Sequence, residues 1–160
     1  MLIKMWLNGK AVRAHIKSDT LLLDFVREQG CKSVKYGCDT ANCGLCTVML
    51  EGEPVLSCST LAARVEGKHV VTLEGLQDEA REFGEFLADQ GADQCGYCNP
   101  GFIMNILAMM KELDDPTDDE IKEYLAGNLC RCSGFVGQMR SIRNYIKSKK
   151  EGRHAAEESA

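Results

Sequence analysis

Eight of the nine cysteines in this 160-residue chain fall into two groups of four with the spacing of cluster ligands. The first group is Cys38, Cys43, Cys46 and Cys58, a Cys-x4-Cys-x2-Cys-x11-Cys run that begins at Gly37. The second joins Cys95-x2-Cys98, inside Gln94-Cys-Gly-Tyr-Cys-Asn-Pro-Gly101, to Cys130-x-Cys132, inside Asn128-Leu-Cys-Arg-Cys-Ser-Gly134. Four thiolates converging on one point bind an iron–sulfur cluster or zinc. The x4 and x2 gaps of the first group are the plant-type [2Fe–2S] spacing. The single residue between Cys130 and Cys132 is tighter than the roughly two to four of a zinc knuckle. The pattern therefore points to electron transfer, with a zinc-stapled interaction module and ordinary disulfides as the weaker alternatives.

A [2Fe–2S] core held by four thiolates carries a charge of about −2 when oxidised and one unit more when reduced, so nearby dipoles must stabilise it. Glycines flank both groups, Gly37 and Gly44 at the first and Gly96, Gly101 and Gly134 at the second. There they let backbone N–H groups approach sulfur. A helix opening at Asn99-Pro100 would turn its positive end toward the second group.

Composition narrows the setting. Hydrophobic residues make up 44% of the chain and charged ones 27%, as in an ordinary globular protein. A net charge of −5 argues against a nucleic-acid partner, and the one dense basic run, Lys147-Ser-Lys-Lys150, reads as a solvated helix end. The N-terminal stretch is broken by Lys4 and Asn8 and lacks a signal-peptide core. No segment approaches the ~18 apolar residues of a membrane span. The chain is expected in the cytosol, where grouped cysteines bind metal or do redox chemistry.

The elements that must position these cysteines divide the chain in two, giving an α+β fold. Residues 1–75 read as mixed β with one helix: strands Leu2–Leu7 and Ala11–Lys17 around an Asn8-Gly9 hairpin turn, and a helix Thr20–Gln29 capped by Asp19 or Thr20 and ended by Gly30. The cysteine loop, a strand Thr47–Glu51, a turn at Gly52-Glu-Pro54 and a last strand Val70–Leu73 follow. Residues 76–150 read as four helices, Gln77–Asp89, Pro100–Leu113 with Asn99 as cap, one opened by the Thr117–Glu120 capping box and running to Ala126, and Gly137–Lys149. Residues 151–160 are small and polar, and an irregular tail is expected. Two halves of roughly 75 residues have thin cores, and a cluster in each would staple it.

With both quartets in view, together with Cys43-Gly-Leu-Cys-Thr-Val48 and Gly127-Asn-Leu-Cys-Arg-Cys-Ser-Gly-Phe135, the chain resembles the small iron–sulfur subunit of the molybdenum hydroxylases, of the xanthine dehydrogenase, aldehyde oxidoreductase and CO dehydrogenase type. The resemblance spans about residues 2–146. It implies an N-terminal β-grasp, plant-ferredoxin-like domain followed by a C-terminal four-helix bundle. It implies that Cys38, Cys43, Cys46 and Cys58 ligate the cluster nearer a flavin, and that Cys95, Cys98, Cys130 and Cys132 ligate the cluster nearer a molybdenum–pterin cofactor. Gln94 matches a glutamine that bonds the pterin, and Cys132 a ligand whose surroundings touch the pterin edge. The pterin and FAD are expected on a large and a medium partner subunit, in a complex that can pair into a dimer of heterotrimers. Electrons would pass singly between molybdenum and the final acceptor. The chain departs from the resemblance at Ala41-Asn42, where a glycine pair is usual, and at Leu45, Asn99 and Ser133-Gly-Phe135, none of which removes a ligand.

Other candidates read more plainly. There is no nucleophile–base pair, phosphate loop or dinucleotide fingerprint, so the chain is expected to be the non-catalytic subunit of a multi-subunit oxidoreductase; the alternative is a free ferredoxin-like carrier or redox sensor. Cys31 reads as a small buried residue. Met104, Met109 and Met110 read as helix core, His15, His69 and His154 as surface positions, and the acids at 114–115 and 118–119 as residues at a helix start. Arg131, between two ligands, reads equally as solvated or as tuning the second cluster.

Overall fold

The hairpin turn is dictated by Asn8 and Gly9, both at positive φ (51° and 76°), the pair of left-handed conformations a two-residue hairpin turn requires. It joins β1 (Leu2–Leu7) to β2 (Lys10–His15), with Leu7 opposite Lys10. β1 alternates in burial, so Ile3, Met5 and Leu7 face inward. Against them α1 (Leu22–Glu28) lays Leu22, Phe25 and Val26. This computed structural model describes the backbone of residues 1–157 and the side chains through Gly152.

The sheet is completed by β3 (Thr47–Leu50), β4 (Glu53–Leu56) and β5 (His69–Val71) in the order β2-β1-β5-β3-β4. β1 and β5 run parallel and the other pairs antiparallel. The expected turn at Gly52-Glu-Pro54 lies instead at Glu51-Gly52, whose φ angles are 54° and 94°. Pro54 sits within β4, an edge strand, where a missing N–H is tolerated. Helix α1 begins later than expected, at Leu22 with Leu21 as N-cap and no side-chain cap. The reason is tertiary. The Leu22 N–H donates to the Thr60 carbonyl at 2.7 Å and the Ala62 N–H to the Thr20 carbonyl at 2.8 Å, so a two-residue bridge does the capping.

Four helices follow the sheet: α2 (Gln77–Asp89), α3 (Asn99–Glu112), α4 (Asp118–Tyr124) and α5 (Val136–Glu157). Their common core contains Phe83 and Leu87 from α2, Ile106 and Met109 from α3, Ile121 from α4 and Ile142 from α5. Tyr145 of α5 meets Phe83 edge-on at 5.1 Å. The capping box forms as read: the Thr117 side chain accepts the Glu120 N–H, and Glu120 accepts the Thr117 N–H at 2.7 Å. Asn99 is not the cap of α3 but its first residue. Cys98 holds the cap position, and the Asn99 amide donates instead to Asp93 at 2.8 Å. Helix α5 continues to Glu157, into the stretch expected to be irregular; residues 158–160 of that stretch lie outside the described residues. The basic run Lys147–Lys150 lies within α5 rather than at its end, and is partly neutralised, Lys149 by Glu82 at 2.6 Å and Lys150 by Asp115.

β3 connects the two halves. Val48 packs into the α1 core and Met49, one residue on and on the opposite face, packs among the helices. The tightest contact between the halves is made by glycines. A Cβ at Gly101, in the first turn of α3, would lie 2.2 Å from the Gly44 carbonyl oxygen. Gly44 itself has φ of 72°, and a Cβ there would meet the Gly127 carbonyl at 2.5 Å.

This close approach gives a test. Gly101→Ala must push backbone from backbone, so thermal or denaturant unfolding should show a loss of about 1–3 kcal/mol. Gly84→Ala in α2, where a Cβ meets nothing within 4 Å, should be neutral or slightly stabilising. Equal stability of the Gly101 variant and the unaltered protein would contradict the interlock.

Candidate iron–sulfur centres

The first quartet lies on the loop between α1 and β3 and on the short turn after β4. Cys38 accepts the Asn42 N–H at 3.3 Å across the loop. Ala41, rather than Asn42, takes the left-handed conformation there, at φ of 52°. Thr47 locks the loop from below, its hydroxyl donating to the Gly44 carbonyl at 2.7 Å. Ser57 brings Cys58 alongside Cys46, since its hydroxyl and N–H both donate to the Cys46 carbonyl, at 2.7 and 3.2 Å. Gly37 makes room for the sulfur; a Cβ there would stand 3.0 Å from Cys43 Sγ.

The second quartet lies where three helix ends meet. Cys95 is in the turn between α2 and α3, Cys98 caps α3, and Cys130 and Cys132 occupy the loop between α4 and α5. Cys132 Sγ is 3.6 Å from Cys95 Sγ. The Ser133 N–H and hydroxyl both donate to Cys130 Sγ, at 3.3 and 3.2 Å. Cys98 holds the cap position of α3 without a side-chain capping bond, next to a helix end where negative charge is favoured.

The thiols are unequal. Backbone N–H groups of Asn42, Thr40 and Cys43 hold Cys38 down at about 6. Burial pushes Cys43 up, and burial together with the neighbouring Cys46 pushes Cys58 up to about 12. In the second quartet burial and the neighbouring Cys130 push Cys98 up to about 12. Burial acts against Cys130 too, but the hydrogen bonds from Ser133 and the Cys132 N–H outweigh it and bring that thiol below its usual range. Cys132 is raised by its contact with Cys95. The raised thiols, Cys43, Cys58, Cys98 and Cys132, lose their protons readily only when a cationic metal takes the protons' place.

Within each quartet the thiols act on one another: Cys46, Cys38 and Cys43 all bear on Cys58, and Cys130 and Cys95 on Cys98. Cys132 and Cys95 are in contact at 3.6 Å. Four thiols gathered in this way are the donor set of an iron–sulfur cluster or of a zinc ion.

The quartets are also joined to each other. The Leu129 N–H donates to the Cys43 carbonyl at 3.0 Å, so a cysteine of the first quartet is bonded to the residue preceding Cys130 of the second. Around the second quartet Cys95 and Cys132 are exposed, with Gln94, Tyr97, Leu129, Arg131 and Phe135 exposed beside them. Gln94 makes only a long bond to the Gly91 carbonyl, at 3.5 Å, which leaves its amide free to face outward. Cys31 is buried as read, its thiol pushed up by burial and accepting from the Asn8 amide at 3.6 Å. His69 stacks on Trp6 at 5.1 Å and His15 is exposed, and the side chain of His154 lies outside the described residues. Two residues escaped the sequence reading. Ser57 was signalled by standing next to Cys58, and Gln138 by interrupting the apolar stripe of α5 with Ile142 and Tyr145.

Comparison with known proteins agrees with this geometry. Residues 6–88 match the family described as "2Fe-2S iron-sulfur cluster binding domain" and residues 72–143 the "[2Fe-2S] binding domain". The chain is 41% identical over 151 residues to the xanthine dehydrogenase iron-sulfur-binding subunit of Escherichia coli O157:H7, covering 92% of this chain and 95% of that one. It is 39% identical over 148 residues to the nicotinate dehydrogenase small FeS subunit of Eubacterium barkeri, covering 91% and 94%. Among solved structures, quinoline 2-oxidoreductase from Pseudomonas putida 86 superposes with a TM-score of 0.82 at 34% identity, covering 89% of this chain and 90% of that one. The aldehyde oxidoreductase from Desulfovibrio desulfuricans superposes with a TM-score of 0.86 at 30% identity, covering 94% of this chain and 17% of the other. The fold, the two cysteine quartets and these matches thus define a protein with two [2Fe–2S] domains. More narrowly, the chain belongs to the small iron–sulfur subunits of the molybdenum hydroxylase family, the non-catalytic, electron-transferring subunits of multi-subunit oxidoreductases.

Because each quartet is built within its own half of the chain, Cys43→Ser should impair the first cluster and leave the second formed, so bound iron falls from about four per chain toward about two. Electron paramagnetic resonance of the reduced variant should retain the signal of the second cluster. Equal loss of both signals would contradict independent sites.

Proposed function

We propose that this chain is the electron relay between the molybdenum–pterin site of a large partner subunit and a flavin, most simply an FAD on a medium subunit. Cys38, Cys43, Cys46 and Cys58 hold the cluster nearer the flavin, and Cys95, Cys98, Cys130 and Cys132 the one nearer the pterin, inside a four-helix bundle formed by α2–α5. The observation that carries the reading is the bond between the Leu129 N–H and the Cys43 carbonyl, which links the two quartets by a short bonded path. When bound, the clusters take up and release one electron at a time.

The chain's own residues supply the setting. Burial of Cys43 and Cys46 keeps water from the junction between the sites. The N–H groups of Asn42 and Ser133 and the hydroxyl of Ser133 donate toward thiolate sulfur and offset its charge. Exposed Cys95 and Cys132, with Gln94 beside them, form the edge offered to the pterin, and the apolar side chains of Tyr97, Leu129, Phe135 and Val136 surround that edge as a docking face for the large subunit. Among the described residues no helix is long and apolar enough to cross a membrane. The cytosol remains the compartment in which such clustered thiols stay reduced until iron is supplied.

Two experiments test the proposal. Tagged chain recovered from its native host should bring down a molybdenum-containing large subunit; recovery of a stable, cluster-loaded chain alone would instead make it a free carrier. In the assembled complex, Gln94→Ala should keep both clusters but slow their substrate-driven reduction by roughly 10- to 100-fold, the usual cost of losing an outer-shell partner. Unchanged reduction kinetics would remove Gln94 from the pterin edge.

A further inference from the structure

Helix α5 carries a polar residue where its inward stripe should be apolar. Gln138 precedes Ile142 and Tyr145 on that stripe and is 2% exposed. Both its Nε2 and its Oε1 are buried without a hydrogen-bond partner, and no other described side chain has such an atom. A buried donor left unmet is costly, so a partner belongs there.

The surroundings narrow what that partner is. On one side Gln138 borders a cavity of about 260 Å³ whose apolar lining includes Phe102, Leu125, Leu129, Phe135 and Met139, with Lys122 and Asn128 as its other polar members. None of the apolar side chains offers an oxygen or nitrogen acceptor, and the amide atoms of Gln138 are out of reach of solvent there. On the other side it borders a narrow void, about 170 Å³ of empty space with no room for a water molecule, shared with Cys43, Cys98 and Cys130. Of the polar neighbours, Lys122 only donates, and Asn128, whose oxygen accepts from the Asn105 amide at 2.7 Å, makes no bond to Gln138. The sulfurs across the void are the acceptors that a bound cluster would bring within reach.

We infer that the side-chain amide of Gln138 donates a hydrogen bond to sulfur of the second cluster, a thiolate of Cys98 or Cys130 or a sulfide beside them, and thereby raises that cluster's reduction potential. This rests on the two-cluster reading above. Thiolate and sulfide only accept, so the NH2 end of the amide faces them and Oε1 faces away. A hydrogen bond to the more negative, reduced state is the stronger one, so the donor favours reduction. Two of the three sulfurs bordering the void, Cys98 and Cys130, belong to the second quartet, so the effect falls mainly on that cluster. Gln138 acts through the ligands and touches neither substrate nor pterin, which makes it a positioning and tuning residue.

The test is a redox titration, followed by electron paramagnetic resonance, of the native complex carrying Gln138→Met, which keeps length and removes the N–H. Gln138→Leu serves as a second variant. At a fixed potential the reduced-to-oxidised ratio of the second cluster should fall about tenfold, equivalent to about 59 mV for one electron, while the first cluster moves less. With the full iron content retained, unchanged midpoints in both variants would overturn the inference. So would loss of the second cluster's iron in both, which would make Gln138 a packing residue. Absence of iron from the unaltered complex would instead defeat the two-cluster reading itself.

Discussion

The carbonyl of Cys43 accepting the Leu129 N–H, with Gly44 and Gly101 in backbone contact beside it, ties two separately built cysteine sites into one conducting unit. Each half of the chain has its own core, one beneath the sheet and α1, the other among α2–α5. Left to those cores alone, the halves could adopt many relative positions. The interlocked loops admit one, because glycines at 44 and 101 allow main chain to touch main chain where any side chain would hold it off. Met49, reaching from β3 into the helical core, fixes the same arrangement from the sheet side.

Electrostatics explain why the quartets need their metal. Burial raises Cys43, Cys58 and Cys98, and crowding by neighbouring thiols adds to it. Backbone N–H groups favour the anion at Cys38, and Ser133 does so at Cys130. Each site therefore combines thiols that ionise readily with thiols that resist, a balance that iron tips by replacing protons with positive charge.

Much of this was legible in the chain. Asn8-Gly9 specified its turn, Thr117 and Glu120 their capping box, and the gaps between cysteines their grouping, because each depends on neighbours close in sequence. What was not legible depended on distant partners. The start of α1 is set by Thr60 across the fold rather than by Asp19 or Thr20. The turn before β4 moved to Glu51-Gly52 because Pro54 fits an exposed sheet edge. Asn99 lost the cap of α3 to Cys98 because Asp93 engages its amide. The bond from Leu129 to Cys43, which joins the two quartets, needed the folded backbone. Gln138 was visible as a break in an apolar stripe, but only its two neighbouring cavities gave the break a meaning.

The most direct measurement is the iron, sulfide and zinc content of the natively purified complex, joined to electron paramagnetic resonance after dithionite reduction. Two linked [2Fe–2S] sites predict about four irons and four sulfides per chain and two distinct S = 1/2 signals of equal weight. Zinc in a colourless protein, or iron sufficient for one cluster alone, would contradict the account at its centre.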